Sequence, residues 1–248
     1  MPNPTVLRAW LFFVLLVIGA IPFVPLLVPL FLAPPRYTWW IVFAFLRMMQ
    51  FLVKLTCGLD WVVTGRENIP AGPVLYASRH ESIWEVLYFQ MLFGNPISFA
   101  KREVFGYPVG GQIARNGDHI RVDRDGNLEQ IRQAFAKARD ASRAGRSVLI
   151  FPSGTRSVDG RDQVANGVAV LYGMLDLPCV PIVLDSGTYW PHRSWLKYPG
   201  TIHVRVLPPI PPGLKKGEFL ERLRTELRRS PTGDEAPEPA LTPARLDA

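Results

Sequence analysis

Cysteine and histidine are scarce in this sequence. Its 248 residues include two cysteines and four histidines. Cys57 and Cys179 both lie among apolar residues, where a thiol usually packs as a small hydrophobic side chain. Two isolated cysteines provide neither a disulfide framework nor the paired spacing of a zinc site. The sequence therefore excludes a small fold held together by disulfides or by structural zinc.

Charge is missing from a long amino-terminal segment. No residue between Arg8 and Arg36 is charged, and this apolar run exceeds the roughly 20 residues that cross a bilayer. The run is too long for the core of a signal peptide, and no clear small-residue cleavage site follows it. Pro22, Pro25 and Pro29 each remove a helix hydrogen bond, so that a straight crossing and a kinked or re-entrant hairpin both stay open.

A second apolar stretch covers residues 37–53 and is interrupted by Arg47. Trp39 and Trp40 lie near its start, and paired tryptophans suit the headgroup region of a bilayer. We therefore predict that residues 6–54 form a membrane anchor of one or two helical pieces. The alternative is an apolar hairpin that is buried in the protein core.

Positive charge predominates outside the carboxyl-terminal tail. The net charge is +7 and the pI is about 9.7, although the tail after residue 229 is acidic and rich in Pro and Ala. A basic body fits anionic lipid, nucleic acid or a phosphorylated substrate. The basic residues are scattered and form no recognition motif, so we expect no nucleic-acid partner. The tail, residues 230–248, cannot bury a core and is expected to be disordered.

Strands and helices are predicted to alternate through the body of the chain. Short apolar or alternating runs predict strands at residues 59–65, 73–77, 96–100, 120–123, 147–151, 180–184 and 201–206. Helices are predicted after Ser82 to about residue 92, and at residues 127–145, with Asn127 as the cap, 167–177 and 219–229. Glycines and prolines at residues 106–111 predict a loop. We therefore expect the α/β class, with a mixed sheet flanked by helices behind the hydrophobic helical anchor.

His80 lies between a predicted strand and a predicted helix. Ser82 and Glu85 have the spacing of a capping box, so His80 falls in the non-helical segment at the carboxyl end of the strand, where open α/β sheets place their sites. Within a helix, residues five apart would point about 140° away from each other. A carboxylate that holds one imidazole nitrogen leaves the other free to accept a proton. The alternative is that Glu85 only caps the helix.

Four segments resemble, in order, the sequence blocks of the 1-acyl-sn-glycerol-3-phosphate acyltransferase family. Residues 80–85 match the His-x4-Asp block, with Glu85 in place of Asp. Residues 99–103, Phe-Ala-Lys-Arg-Glu, match the second block. Residues 151–156, Phe-Pro-Ser-Gly-Thr-Arg, match the third block, Phe-Pro-Glu-Gly-Thr-Arg, and residues 180–182 match the fourth. One block alone is weak, but four in order behind a hydrophobic amino terminus form a specific pattern.

The resemblance covers roughly residues 57–215 and implies an acyltransferase. It implies transfer of a fatty acyl group from acyl-CoA or acyl-carrier protein to the sn-2 hydroxyl of 1-acyl-sn-glycerol-3-phosphate (lysophosphatidic acid), which gives phosphatidic acid at the cytoplasmic face of the membrane. His80 would be the general base and Glu85 would orient it. The expected substrate-binding residues are Lys101, Arg102, Ser153, Gly154, Thr155 and Arg156. No metal or cofactor is expected besides the acyl donor as co-substrate. The domains would then be residues 1–56, the anchor, 57–229, the catalytic domain, and 230–248, the tail.

Ser153 is the main departure from the family pattern. It replaces a glutamate in a block that the family uses to bind the acceptor. Two alternatives follow: an acyltransferase for another lysolipid, of lysophospholipid or ornithine-lipid type, and a membrane lysolipid-binding protein without turnover. The presence of both His80 and Glu85 argues against the second alternative.

Overall fold

A mixed β-sheet forms the centre of the protein. The computed structural model describes residues 3–23, 25, 35–123, 128–156 and 164–233. Within them the sheet has seven strands in the spatial order β1-β7-β6-β2-β5-β3-β4. The strands are β1 (Leu59–Thr64), β2 (Leu75–Ser78), β3 (Ile97–Lys101), β4 (Ile120–Val122), β5 (Val148–Ile150), β6 (Cys179–Leu184) and β7 (Gly200–Val206). Each of the seven predicted strands is present, with ends that differ by one or two residues.

The strand directions bring several chain segments to one edge of the sheet. Strands β4, β3, β5, β2 and β6 run parallel, whereas β7 is antiparallel to β6 and parallel to β1. Ala77 in β2 pairs with Ile150 in β5 and with Pro181 in β6. The residues that follow these three strands are therefore neighbours. We call this side of the sheet the carboxyl edge, and it is where open α/β sheets place their sites.

Helices cover both faces of the sheet. They are α1 (Pro4–Ala20), α2 (Pro35–Cys57), α3 (Trp84–Leu92), α4 (Pro108–Asn116), α5 (Leu128–Arg143), α6 (Gly167–Leu175), α7 (Ser186–Tyr189) and α8 (Lys216–Leu227). Leu75 and Ala77 of β2 pack in one core with α5, α6 and α8, and Tyr76 packs in the other with α2 and α3. This alternation follows from the two-residue period of a strand. The predicted α/β class and the mixed sheet flanked by helices are confirmed.

The two amino-terminal helices lie antiparallel to each other. The Sγ of Cys57, at the end of α2, contacts the carbonyl of Arg8 in α1, and the rings of Phe23 and Phe45 are 5.5 Å apart. The segments Pro4–Phe23 and Thr38–Cys57 are long and apolar enough to cross a bilayer, with mean hydropathies of 2.3 and 1.5. Of the predicted anchor, the described part is thus two helical pieces. Pro29, on which the choice between a crossing and a hairpin depends, lies outside the described residues.

The prediction of a glycine-rich loop at residues 106–111 is wrong. A 3-10 turn covers Arg102–Gly106, and α4 begins at Pro108. Proline suits the first turn of a helix because its missing N–H has no partner there. A Cβ atom at Gly111 would lie 2.4 Å from the carbonyl oxygen of Phe105. The glycine therefore allows close packing of α4 against the preceding turn.

Three further predictions concern the cysteines, the cap of α5 and the tail. Both cysteines are buried and free, as predicted. The capping role of Asn127 lies outside the described residues, although α5 itself is present. The predicted disorder of the tail lies outside them except at residues 230–233, because the described part ends at residue 233.

Candidate active site

His80 lies in the connection between β2 and α3 at the carboxyl edge. Its Nδ1 is 2.9 Å from Oε1 of Glu85, so the predicted pairing is present. The side chain of His80 is 14% exposed, whereas that of Glu85 is fully buried. The imidazole stacks on the ring of Phe151, which follows β5, with centroids 4.2 Å apart. Since Nδ1 faces the carboxylate, Nε2 is the nitrogen that can exchange a proton with a substrate.

Glu85 both pairs with His80 and caps the helix. Its Oε1 accepts hydrogen bonds from the backbone N–H groups of Glu81, at 2.8 Å, and Ser82, at 2.7 Å. The sequence left pairing with His80 and helix capping as alternatives, and in the structure Glu85 does both. The N-cap residue is Ile83 rather than the predicted Ser82, because α3 starts one residue later. Ser82 still accepts a hydrogen bond from the backbone N–H of Trp84 through its hydroxyl, at 3.1 Å.

Two buried residues near the dyad were missed in the sequence. The hydroxyl of Ser186, at the start of α7, donates to Oε2 of Glu85 at 2.7 Å. Glu81 accepts a hydrogen bond from the backbone N–H of Gly187 at 3.1 Å. Burial raises the pKa of the Glu81 carboxyl well above its ordinary value, and the charge of Glu85 adds to this rise. Ser186 lies two residues after the end of β6, the strand that contains the fourth block, and this position was the one available signal.

The third block forms a tight turn beside His80. Gly154 has a φ of +64°, which favours glycine, and its N–H donates to the carbonyl of Phe151 at 3.0 Å. The hydroxyl of Ser153 donates to the carbonyl of Thr155 at 2.7 Å, so it stabilises the turn. Phe151, two residues before Ser153, is the member of this block that contacts the imidazole.

Arg156 carries an unused hydrogen-bond donor. Its Nε is buried and has no hydrogen-bond partner among the described residues. Burial, and then the nearby Arg193, Arg156 and His80, lower the pKa of His192. His192 was not predicted as a site residue, and this interaction places it close to both the turn and the dyad. A buried guanidinium N–H without a partner is costly, and an anionic ligand would satisfy it.

Lys101 and Arg102 lie at the carboxyl end of β3 and are exposed to solvent. The guanidinium of Arg102 is 3.5 Å from a carboxylate oxygen of Asp123, which follows β4. These two cations therefore share the carboxyl edge with His80. No described contact joins them to the dyad, so they form a separate, more exposed part of the candidate site.

The arrangement has the chemistry of a general base beside cationic groups. The dyad supplies a proton acceptor with a fixed orientation. Within the described residues, the hydroxyl of Ser186 contacts the buried side of Glu85 rather than the imidazole, so it is not placed as a nucleophile. Such a site can deprotonate a substrate hydroxyl and hold an anionic group nearby.

Comparisons with known proteins identify relatives of the chain. The family profile described as Acyltransferase matches residues 60–185. The 1-acyl-sn-glycerol-3-phosphate acyltransferase of Pseudomonas aeruginosa is 33% identical over 208 residues, which cover 82% of this chain and 80% of that protein. A protein of the same name from Limnanthes alba is 32% identical over 163 residues, 64% of this chain and 57% of that protein.

A solved structure has the same fold. The crystal structure of the 1-acyl-sn-glycerophosphate (LPA) acyltransferase from Thermotoga maritima superposes with a TM-score of 0.69 and covers 90% of this chain and 92% of that one. The sequence identity is 20%, so this likeness concerns the fold alone.

Proposed function

The chain belongs to the 1-acyl-sn-glycerol-3-phosphate acyltransferase family, and from this premise we propose that it acylates the sn-2 hydroxyl of 1-acyl-sn-glycerol-3-phosphate to give phosphatidic acid. The observation that carries the proposal is the dyad at the carboxyl edge, with Nδ1 of His80 2.9 Å from Oε1 of Glu85. The acyl donor in the proposal is acyl-CoA or acyl-carrier protein, since a thioester is already activated and needs no further cofactor.

In the proposed reaction His80 acts as the general base. Its Nε2 accepts the proton of the acceptor hydroxyl as that oxygen attacks the thioester carbonyl carbon. The new C–O bond forms, the C–S bond breaks, and the departing thiolate receives the proton from the imidazolium. Glu85 stabilises the imidazolium between these two transfers and keeps the ring in one orientation. The reaction needs no covalent acyl-enzyme.

We assign the acceptor phosphate to the third block. The buried Nε of Arg156 has no hydrogen-bond partner in the part of the chain that the structure describes, and the guanidinium can bind phosphate with two parallel hydrogen bonds. The backbone of Gly154 and Thr155 would contact the same phosphate. The hydroxyl of Ser153 instead donates to the carbonyl of Thr155 within the turn. Lys101 and Arg102 would provide a second, solvent-exposed cationic region for substrate phosphates.

We also propose that the protein works at the cytoplasmic membrane, with the dyad on the cytoplasmic side. Two apolar helices that each suit a bilayer support membrane association. The acceptor is itself a membrane lipid, and thioester donors are made in the cytoplasm. The division into an anchor at residues 1–56, a catalytic domain at 57–229 and a tail at 230–248 belongs to the same proposal.

The experiment is an acyl-transfer assay on membranes that hold the protein. Labelled acyl-CoA and labelled acyl-carrier protein are each offered with lysophosphatidate, other lysophospholipids and lyso-ornithine lipid. We expect lysophosphatidate to be the preferred acceptor, and a chelator to leave the rate unchanged. Preference for another lysolipid would replace the proposed acceptor, in line with Ser153 standing where the family has glutamate. Binding of lysolipid without transfer from either donor would show a binding protein instead.

A further inference from the structure

Three consecutive residues after β6 hold the surroundings of the dyad together. We call Asp185, Ser186 and Gly187 the β6 clamp. Asp185 accepts hydrogen bonds from the backbone N–H of His203, at 2.7 Å, and faces its Nδ1 at 3.0 Å. Ser186 donates to Glu85, and Gly187 donates to Glu81. The clamp therefore joins strand β7 to both carboxyl groups next to His80.

Ser186 has a special place among the groups that contact Glu85. Oε1 of Glu85 faces His80 and two backbone N–H groups, all from the same short segment of chain. Oε2 receives the hydroxyl of Ser186, which lies 101 positions away in the sequence, at 2.7 Å. Among the described residues this is the hydrogen bond that ties Oε2 down. With both oxygens held, the plane of the carboxylate cannot rotate away from the imidazole.

The surroundings of Ser186 are well fixed. Its side chain is fully buried, so its hydroxyl does not contact solvent. Asp185, the preceding residue, makes two interactions with His203 in the centre of β7, which hold the start of α7 against the sheet. A hydroxyl in such a position has few orientations and keeps one partner. The hydrogen bond to Glu85 is therefore part of a buried network that links β6 and β7 to the dyad.

We propose that Ser186 is a positioning residue for the proposed transfer reaction, because its hydroxyl holds the Glu85 carboxylate in the plane that orients the His80 imidazole. Ser186 touches neither substrate nor the reacting atoms in this assignment. It acts on Glu85, and Glu85 acts on His80. The proposal rests on the proposed function for its kinetic readout, but its effect on His80 can be observed without turnover.

The pH dependence provides a readout that a merely structural role would not change. The active form of the dyad needs an ionised Glu85 and a neutral His80. Loss of a hydrogen bond donated to Glu85 raises the proton affinity of the dyad as a unit. The acid limb of the pH–rate profile should then move to higher pH. Among the described residues, the other titratable groups next to the dyad are Glu81 and His192, with Arg79 and Asp185 beside Glu81 and with Arg156 and Arg193 beside His192, and the variant changes none of them.

The variants are Ser186→Ala and Ser186→Thr, with Ser142→Ala as the matched control. Ser142, like Ser186, is a buried serine whose hydroxyl donates a hydrogen bond, but it lies in α5 and its partner, at 2.8 Å, is the backbone carbonyl of Arg139. We expect Ser186→Ala to lower kcat about ten- to a hundredfold, which is a smaller decrease than removal of the general base itself would cause. KM for both substrates should stay within about twofold. Ser186→Thr keeps the hydroxyl and should recover most of the rate. Ser142→Ala should keep the parent kcat and pH profile.

A second measurement follows the His80 ring by NMR as a function of pH in parent and Ser186→Ala. We expect the His80 signals of the variant to titrate at higher pH than those of the parent. An unchanged His80 titration overturns the proposal, as does a kcat and pH profile equal to those of Ser142→Ala. If the parent transfers no acyl group at all, the proposed function fails while the NMR titration still decides whether Ser186 positions the dyad.

Discussion

A single buried carboxylate, Glu85, contacts the imidazole of His80, two backbone N–H groups ahead of α3 and the hydroxyl of Ser186. The spacing from His80 to Glu85 and the capping pattern predict the dyad as one of two interpretations, because both partners lie within six consecutive residues. Ser186 and Glu81 could not be predicted in the same way. Ser186 and Gly187 lie in α7, whereas their partners Glu85 and Glu81 lie in α3 and just before it, so these pairs exist only after the parallel strands bring the two segments to one edge.

Glu81 leads to a prediction about stability and pH. Burial raises its pKa well above the ordinary value of 4.5, so the folded protein binds this proton more tightly than the unfolded chain does. The contribution to stability is present below about pH 4.5 and is lost as the pH rises through the raised pKa. Glu81→Gln removes this loss and keeps an oxygen for the N–H of Gly187. The gain in Tm should be larger at about pH 8 than at about pH 5.

Thermal unfolding of parent and Glu81→Gln at the two pH values is the measurement. An equal difference in Tm at both values would mean that Glu81 does not titrate differently in the folded and unfolded states. Glu103→Gln is a suitable control, because Glu103 is an exposed carboxyl in the 3-10 turn after β3.

Arg156 leads to a prediction about substrate binding. Arg156→Lys keeps the positive charge but loses the planar pair of donors that matches a phosphate. The apparent KM for the lysolipid should rise several-fold, while that for the acyl donor changes less. Steady-state kinetics with each substrate varied in turn checks this, with Arg143→Lys on the exposed face of α5 as a control. An equal rise for both substrates would remove Arg156 from the acceptor site.

The elements of the fold differ in how far the sequence predicts them. The strands were found because parallel strands that are buried on both faces read as short apolar runs, as in β2 and β6. Helix α4 was missed because Gly110 and Gly111 disfavour a helix in isolation. Gly111 leaves room for the backbone carbonyl of Phe105, and this contact exists only in the folded structure. Tertiary contact there outweighs local propensity.

Helix α4 gives a direct test of that explanation. Gly111→Ala would place a Cβ atom 2.4 Å from the carbonyl oxygen of Phe105 and should destabilise the protein by about 1–3 kcal/mol through overpacking. Gly173→Ala in α6 is the matched control, because no described heavy atom outside its own helix backbone and its chain neighbours lies within 4 Å of a Cβ there. Alanine favours a helix, so the control should be neutral or slightly stabilising by up to about 1 kcal/mol. Chemical denaturation compares the two, and equal stabilities would refute the packing explanation.

The whole molecule joins an apolar helical pair to an α/β body. Helix α1 is held to the body in part by Lys197, whose ammonium lies 5.1 Å from the ring centre of Phe13 and 4.6 Å from that of Trp190. Burial lowers the pKa of Lys197 to about 8. The outer side of the pair leaves Trp10, Trp40 and other large apolar residues exposed. The absence of charge predicted the two apolar pieces, but not their antiparallel packing, which depends on contacts between distant residues.

Exposed apolar surface of this extent predicts stable membrane binding. After an alkaline carbonate wash of membranes that hold the protein, the intact chain should stay with the membrane pellet, while a peripheral protein in the same sample is released. Release of the intact chain into the supernatant would contradict an inserted anchor.

The most direct test of the proposed function is the rate of acyl transfer to lysophosphatidate by purified His80→Ala. In the proposed reaction the imidazole accepts the hydroxyl proton, and its loss should lower kcat at least about a hundredfold. Circular dichroism and Tm should remain close to those of the parent, since the ring is partly exposed and Glu85 keeps its backbone and Ser186 partners. A folded variant that retained more than about a tenth of the parent rate would contradict general-base catalysis by His80.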